Sequence, residues 1–335
     1  MIGSHIIPKF YLEQFATPSN RGKNKPGRVW VYQKGRDPQE RATSVQGREN
    51  GYFGFVRPDG SIEESFESVL AGRENECNEV LACAKSDLFH WPPGSHKKLA
   101  FYAGLLHARA SQRRDFSERN RAHVIDQLRE AAKDESLLKE IADALGRHLG
   151  QPVSVSHIRK GIHVWSERAP SKAAARNSYL SDLLKFAAQI AELLLSKQPW
   201  VVLRPSEETE IVTSDNPLVT FVPMANGKLQ PGYGFNKKEA VAVFPLAPTA
   251  CLLMGDAWHL ARSRIDAATL WELNEAIVSI CDRYVYSKTF CEETARRVEE
   301  SAGTVRYGVN AFVGPGVTLP VARQFLRRHF GLSPQ

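Results

Sequence analysis

From Ile62 to Lys197 the apolar residues recur mainly at helical spacing, and after Pro199 the chain becomes β-rich up to about 255. That change of period constrains the fold most. A 3.6-residue repeat buries one stripe of a helix, whereas short β-branched runs build sheets. Phe66, Val69, Leu70, Cys77, Val80 and Leu81 form one stripe, with Glu67 and Glu74 on a neighbouring line. Residues 96–147 read as two further helices, and 171–197 as the clearest helix, with Ser171 as its N-cap. Residues 151–170 are mixed, punctuated by Pro152 and Pro170. After Pro199, the runs PWVVLRP, EIVTSDNPLVTFVP, AVAVFPLAP and ACLLMG are strand-like and separated by Pro, Gly and Asn. Helices are expected at about 266–282, 291–302 and 317–331, with the strand YVYSK between the first two. Residues 225–239 read as a mobile glycine-containing loop.

Ahead of the helical stretch, HIIPKFYLEQF reads as an extended lead-in followed by one or two helical turns, since proline is tolerated in a first turn. A loop over 16–27 leads to the alternating strand RVWVYQK at 28–34, and a turn-rich polar stretch runs on to Asn50. Strands thus bracket a helical middle, and the ends of a domain tend to lie close together. The expected fold is α+β, with a central mixed or antiparallel sheet built from N-terminal and C-terminal strands and a large helical lobe inserted between them. On this reading 1–335 is a single composite domain, with 1–60 and 199–335 as the β-rich core and 61–198 as the helical lobe. The strand near Val29–Tyr32 is expected to belong with strands from 200–255.

Composition narrows the classes further. Of 335 residues, 42% are hydrophobic and 24% charged, which excludes wholesale disorder, collagen and coiled coil. No apolar run approaches the ~20 residues of a membrane span. The start MIGSHIIPKF has no basic region ahead of an apolar one, so no signal peptide and a cytoplasmic location are expected. The five cysteines include no C-x-x-C pair, consistent with reduced, buried thiols and against a zinc finger. Walker, G-x-G-x-x-G, H-E-x-x-H and G-x-S-x-G motifs are all missing. The formal charge of +7 suits either solubility or an anionic ligand, so its placement matters more than its sum. The dense clusters lie around Arg113–Arg121 and Arg323–Arg328.

Three constellations could carry chemistry. His5, Lys9 and Tyr11 share one proline-set segment, where histidine can act as general acid or base and lysine can hold an anion. His107 and Arg109 interrupt an apolar helix, and Arg109 with Arg113 at i,i+4 could grip a phosphate; the bland alternative pairs Arg109 with Glu67 or Glu74. Thr213-Ser214-Asp215-Asn216-Pro217 places a carboxylate in a turn at a strand end, either for catalysis or as a simple Asx-turn. Asn274, mid-helix among apolar residues, needs a partner if buried.

These segments in this order resemble the DUF4238 family of uncharacterised, mostly bacterial proteins. His5, Pro8, Tyr11, Leu12 and Phe15 match its opening, Asp215 and Pro217 its T-x-D-x-P turn, and Pro245, Leu246 and Pro248 its later loop. The resemblance runs from about residue 5 to about 288 and supplies no activity. It implies that His5, Arg109 and Asp215 recur as a set. The leading expectation is a phosphodiester-directed enzyme, a nuclease or nucleotide-modifying effector of the kind used in bacterial defence. His5 would be the acid–base, Arg109 would steady the phosphate, and Glu67 or Glu74 with Asp215 would orient these groups or bind magnesium or manganese. Lys9, Tyr11, His107 and Arg113 would contact the substrate. The rivals are a non-enzymatic module that binds nucleic acid or protein through basic helices, and a polar set that is purely a structural ion-pair network.

Overall fold

The structure, a computed structural model, describes residues 3–18, 26–83, 92–112, 114, 129–130, 132–167, 172–205, 209–224, 228–256 and 264–305. The chain divides into two compact units, one from residues 1–113 and 180–308 and the other containing 114–179. The fold is α+β. No helix among the described residues is long and apolar enough to cross a membrane.

The first unit holds two main sheets. Strands β1 (Gly3–His5) and β4 (Arg48–Asn50) pair apart from them, with His5 opposite Arg48. Helix α1 (Lys9–Glu13) starts directly after Pro8, whose fixed φ of −57° leads into it. The alternating run at 28–33 is strand β2 (Arg28–Gln33), paired with β3 (Arg36–Ala42). The polar stretch RDPQERA therefore forms an edge strand, where charge and proline discourage further pairing. Short strands β5 (Phe55–Val56) and β6 (Ile62–Glu63) precede helices α2 (Ser65–Asn75) and α3 (Asn78–Cys83). Helix α4 (Ser95–Arg109) is buried over nearly its whole second half. At Gly104 an added Cβ would meet the Ala187 carbonyl oxygen at 2.5 Å, so only glycine lets these two backbones approach.

The second unit contains α5 (Glu135–Leu149) and α6 (Val155–Glu167) around Leu137, Leu138, Ile141, Ala142 and Ile158. The Asp134 side chain accepts from Leu137 N at 3.2 Å and caps α5. Helix α6 replaces the mixed reading of 151–170: Pro152 precedes it, and a single interior glycine does not break it. Helix α7 (Lys172–Ser196) follows and contributes residues from 180 onward to the first unit.

Returning to the first unit, β7 (Trp200–Pro205), β8 (Thr213–Ser214), β9 (Val219–Pro223), β10 (Leu229–Pro231), β11 (Val241–Ala247), β12 (Ala250–Met254), β13 (Arg264–Ile265), α8 (Ala267–Ile280), β14 (Val285–Ser287) and α9 (Glu292–Ser301) complete the described chain. The N-terminal and C-terminal strands do share a sheet, ordered β3-β2-β14-β8. Besides β3, β2 pairs with β14, through which β8 of the 200–255 region joins the same sheet, while most of the strands of 200–265 make a second, mixed sheet, ordered β10-β9-β11-β12-β7-β13. Part of the expected loop at 225–239 is strand β10, recruited by backbone pairing to β9. On β11, Ala242, Phe244 and Leu246 join the core shared with α1 and α4, whereas Val241 and Val243 join the core shared with α8. Burial on both faces explains why this strand reads as a continuous apolar run.

Candidate functional site

The segment that opens with His5 is tied down at three points. The Ile6 N–H donates to the Gly47 carbonyl. The Arg109 guanidinium donates through Nη2 to the His5 carbonyl and pairs through Nη1 with Glu74. It also lies over the Phe53 ring, 4.6 Å from its centroid, and only 2% of the arginine is exposed. The arginine has taken the bland partner, one of the two α2 glutamates, and with it holds the backbone of His5 in place.

The third point is Tyr11. Its hydroxyl donates to the Pro245 carbonyl at 2.7 Å and lies 2.8 Å from Thr213 Oγ1. A phenol has one proton, so Thr213 donates in return. Its ring stacks on Phe244 at 5.6 Å. Tyr11 thus joins the opening segment, the TSDNP turn and the PLAP loop in one buried knot. The sequence offers Tyr11 as a substrate contact; a ligand would reach it only by unpacking this core.

Asp215 occupies the next turn. Its Oδ1 accepts from Asp282 N at 2.8 Å, and its Oδ2 accepts from Arg283 N at 2.8 Å and Tyr284 N at 3.1 Å. Burial, and then the charge of Asp282, push its carboxyl well above the usual range, against the three amides that favour the anion. Asp282 in turn accepts from Gln112 N at 2.9 Å, just past the end of α4. Asp215 and Arg109 are therefore linked through Gln112 and Asp282, while their own polar bonds go to different groups. Asn274 finds its partners too: Oδ1 accepts from Val212 N at 3.1 Å, and Nδ2 donates to the Glu210 carbonyl at 2.9 Å.

The His5 side chain is different, because it is only half-buried. Its Nε2 lies 3.3 Å from the Ser44 carbonyl, which can only accept, so Nε2 carries the proton and the neutral ring keeps its lone pair on Nδ1. Burial lowers the imidazole pKa, aided by Arg48 and Arg109 and opposed by the Ser44 carbonyl and Glu67. Arg48 is exposed and directly opposite His5 in the strand pair. Glu67 Oε1 is buried with no hydrogen-bond partner among the described residues. The two act on the histidine with opposite charges, Arg48 lowering its pKa and Glu67 raising it. Sequence reasoning finds Glu67 but misses Arg48, because only strand register sets it beside His5. It misses Asp282 for the same kind of reason.

The remaining candidates separate. Lys9 is exposed at the start of α1. His107 is fully buried, with its ring edge-on to Phe235 at 4.9 Å. Arg113 and the basic segments at 115–121 and 323–328 lie outside the described residues. Among the described residues no group of three or more His, Cys, Asp or Glu is arranged to hold a metal ion. All five cysteines are free thiols, and burial pushes Cys77 up to about 12.

The family described as Protein of unknown function (DUF4238) matches residues 4–289. The chain belongs to the DUF4238 family. No curated protein and no solved structure matches it. The opening segment, the T-x-D-x-P turn and the PLAP loop, through which the sequence resembles this family, are the three segments that meet at Tyr11. For this DUF4238 chain the motif tyrosine and threonine therefore have a packing role, separate from the half-buried histidine.

Proposed function

We propose that this protein is an intracellular phosphodiester-directed enzyme, a nuclease or nucleotide-modifying effector, whose reacting groups are His5, Glu67 and Arg48. The observation that carries the reading is the half-buried His5 ring, with its lowered pKa, opposite an exposed arginine and within the field of Glu67, whose buried Oε1 has no hydrogen-bond partner among the described residues. A neutral imidazole near neutral pH suits a general base, and Arg48 supplies charge for a phosphate. Glu67 would orient His5 or join a divalent ion. Arg109, Glu74 and Asp215 then act as positioning residues. Purified protein incubated with RNA, single- and double-stranded DNA and nucleotides, with and without magnesium or manganese, tests it. Turnover that His5→Asn abolishes without lowering the melting temperature supports the reading. Turnover unchanged in His5→Asn, or no turnover on any of these substrates, overturns it.

The burial of Arg109 and Asp215 favours a second reading, in which the whole polar set is structural. It expects Arg109→Ala and Asp215→Ala to lower stability while any activity per folded molecule persists.

A further inference from the structure

The second unit carries a groove of about 870 Å³ that has no part in the site around His5. That volume falls within the range of about 300–1,000 Å³ typical of ligand sites. Its lining is sorted by chemistry. Arg159, Lys160 and His163 stand along α6, and Arg129 and Lys133 line the groove from the segment ahead of α5. Ala132 and Ile162 add apolar surface to the lining, and Glu135 adds an acidic residue. Residues four apart on a helix are neighbours, with Cβ atoms about 5–6 Å apart. Arg159 and His163, both on α6, therefore lie in one row, while Arg129 and Lys133 reach the groove from the segment ahead of α5, where residues 132–133 form a turn.

The arginine at the mouth is held in place. Arg159 pairs with Glu135, and its Nε donates to the Ala132 carbonyl at 3.4 Å. Lys133 pairs with Glu130 at 2.7 Å, with both side chains largely exposed. Such exposed pairs are worth little, about 0–1 kcal/mol, and a polyanion displaces them readily. Leu138 and Ile141 of α5 are packed against Ile158 of α6, so the two helices that carry Glu135 and Arg159 are held together by a core of their own.

We propose that this groove binds single-stranded nucleic acid, with phosphates on Arg129, Lys133, Arg159 and Lys160 and bases over Ala132, Ile162 and the aliphatic stems of the lining. A duplex presents sugar and phosphate on its outside and has nothing to lay on an apolar floor. A free inorganic anion would use the cations but not the floor. A strand with accessible base faces uses both.

The experiment is fluorescence anisotropy with a labelled 12-mer oligodeoxythymidylate and its ribo counterpart over a salt series. The background is His5→Asn, so that the probe survives whatever the proposed enzyme does and a lack of turnover leaves this test untouched. The expected result is saturable binding, weakened at least tenfold by Arg129→Glu with Lys160→Glu. The slope of log affinity against log salt should fall by about 0.7 for each cation removed. Circular dichroism of the variant confirms that α5 and α6 persist; if they do not, Lys160→Gln alone replaces it, with a several-fold loss expected. Absence of binding, unchanged binding in the folded variant, equal affinity for duplex, or preference for a poly-glutamate peptide would each overturn the proposal.

Discussion

Tyr11 and His5 belong to one short segment and meet opposite fates. Tyr11 is wholly buried, and its hydroxyl is committed to Thr213 and Pro245. His5 is half-buried, bonded once to a carbonyl, opposite an exposed Arg48, and in the field of Glu67, whose Oε1 has no partner among the described residues. A group whose bonding capacity is used up in a dry core stabilises the fold and is closed to substrate. A group at the rim that keeps a lone pair stays open to substrate. Residues that share a motif thus need not share a role. The comparison yields its own tests: substitutions in the knot should cost stability, and substitutions at the rim should cost activity.

The largest stability effect is expected at Arg109. Arg109→Ala strands the mostly buried Glu74 carboxylate and the His5 carbonyl, and breaking such a pair costs about 3–5 kcal/mol. Denaturant unfolding measures it, and a loss under about 1 kcal/mol would place Arg109 with ordinary surface pairs. Arg109→Met with Glu74→Leu should recover much of the loss, because no charge is then left alone. Next comes Tyr11→Phe, which leaves the Thr213 hydroxyl and the Pro245 carbonyl unbonded in the core at a cost of about 1–3 kcal/mol. Adding Thr213→Val removes one orphan and should return part of that. His5→Asn, by contrast, should barely move the unfolding midpoint.

How far the sequence reaches follows the same division. Helices α7 and α8 and strand β2 are legible because their apolar residues keep a regular period. The polar edge strand β3 and the short β10 are not, since what makes them strands is a partner's backbone. Helix α6 hides behind Pro152 and β-branched residues whose packing overrides weak propensity. In the site, His5, Glu67, Glu74, Arg109 and Asp215 are legible as chemical types. Their division into knot and rim is not, because burial belongs to the assembled core. Arg48 and Asp282 need strand register and a tertiary turn, neither of which leaves a spacing in the chain.

The two regions should also answer to pH in opposite senses. In the knot, burial and the Asp282 charge raise the Asp215 pKa above its unfolded value. The fold then binds that proton more tightly than the unfolded chain does. The contribution is complete below the unfolded value of about 3.9 and is lost as pH rises through the folded one. Asp282→Asn removes the neighbouring charge and still offers an oxygen to Gln112 N. Unfolding midpoints measured from acid to neutral pH should decline less steeply in this variant than in the wild type. Parallel curves would mean that Asp282 does not govern Asp215.

The smallest effect belongs to the rim. There the His5 pKa is lowered, chiefly by burial and then by Arg48 and Arg109. A depressed value has the reverse sign: stability is complete above the unfolded pKa of about 6.5 and is lost as pH falls through the folded one. Because the ring is half-exposed, solvent screens its charges and the change in midpoint should be small, best seen as a difference between the wild type and His5→Asn. Glu67→Gln separates the charges around the ring. Glu67 supports the imidazolium, so its loss should lower the His5 pKa further, whereas Arg48→Gln should raise it. Titrating the His5 ring resonance by NMR in the two variants reads both shifts. Opposite directions would establish that the imidazole is tuned between these charges, and shifts of the same sign would mean that the rim is set by burial alone.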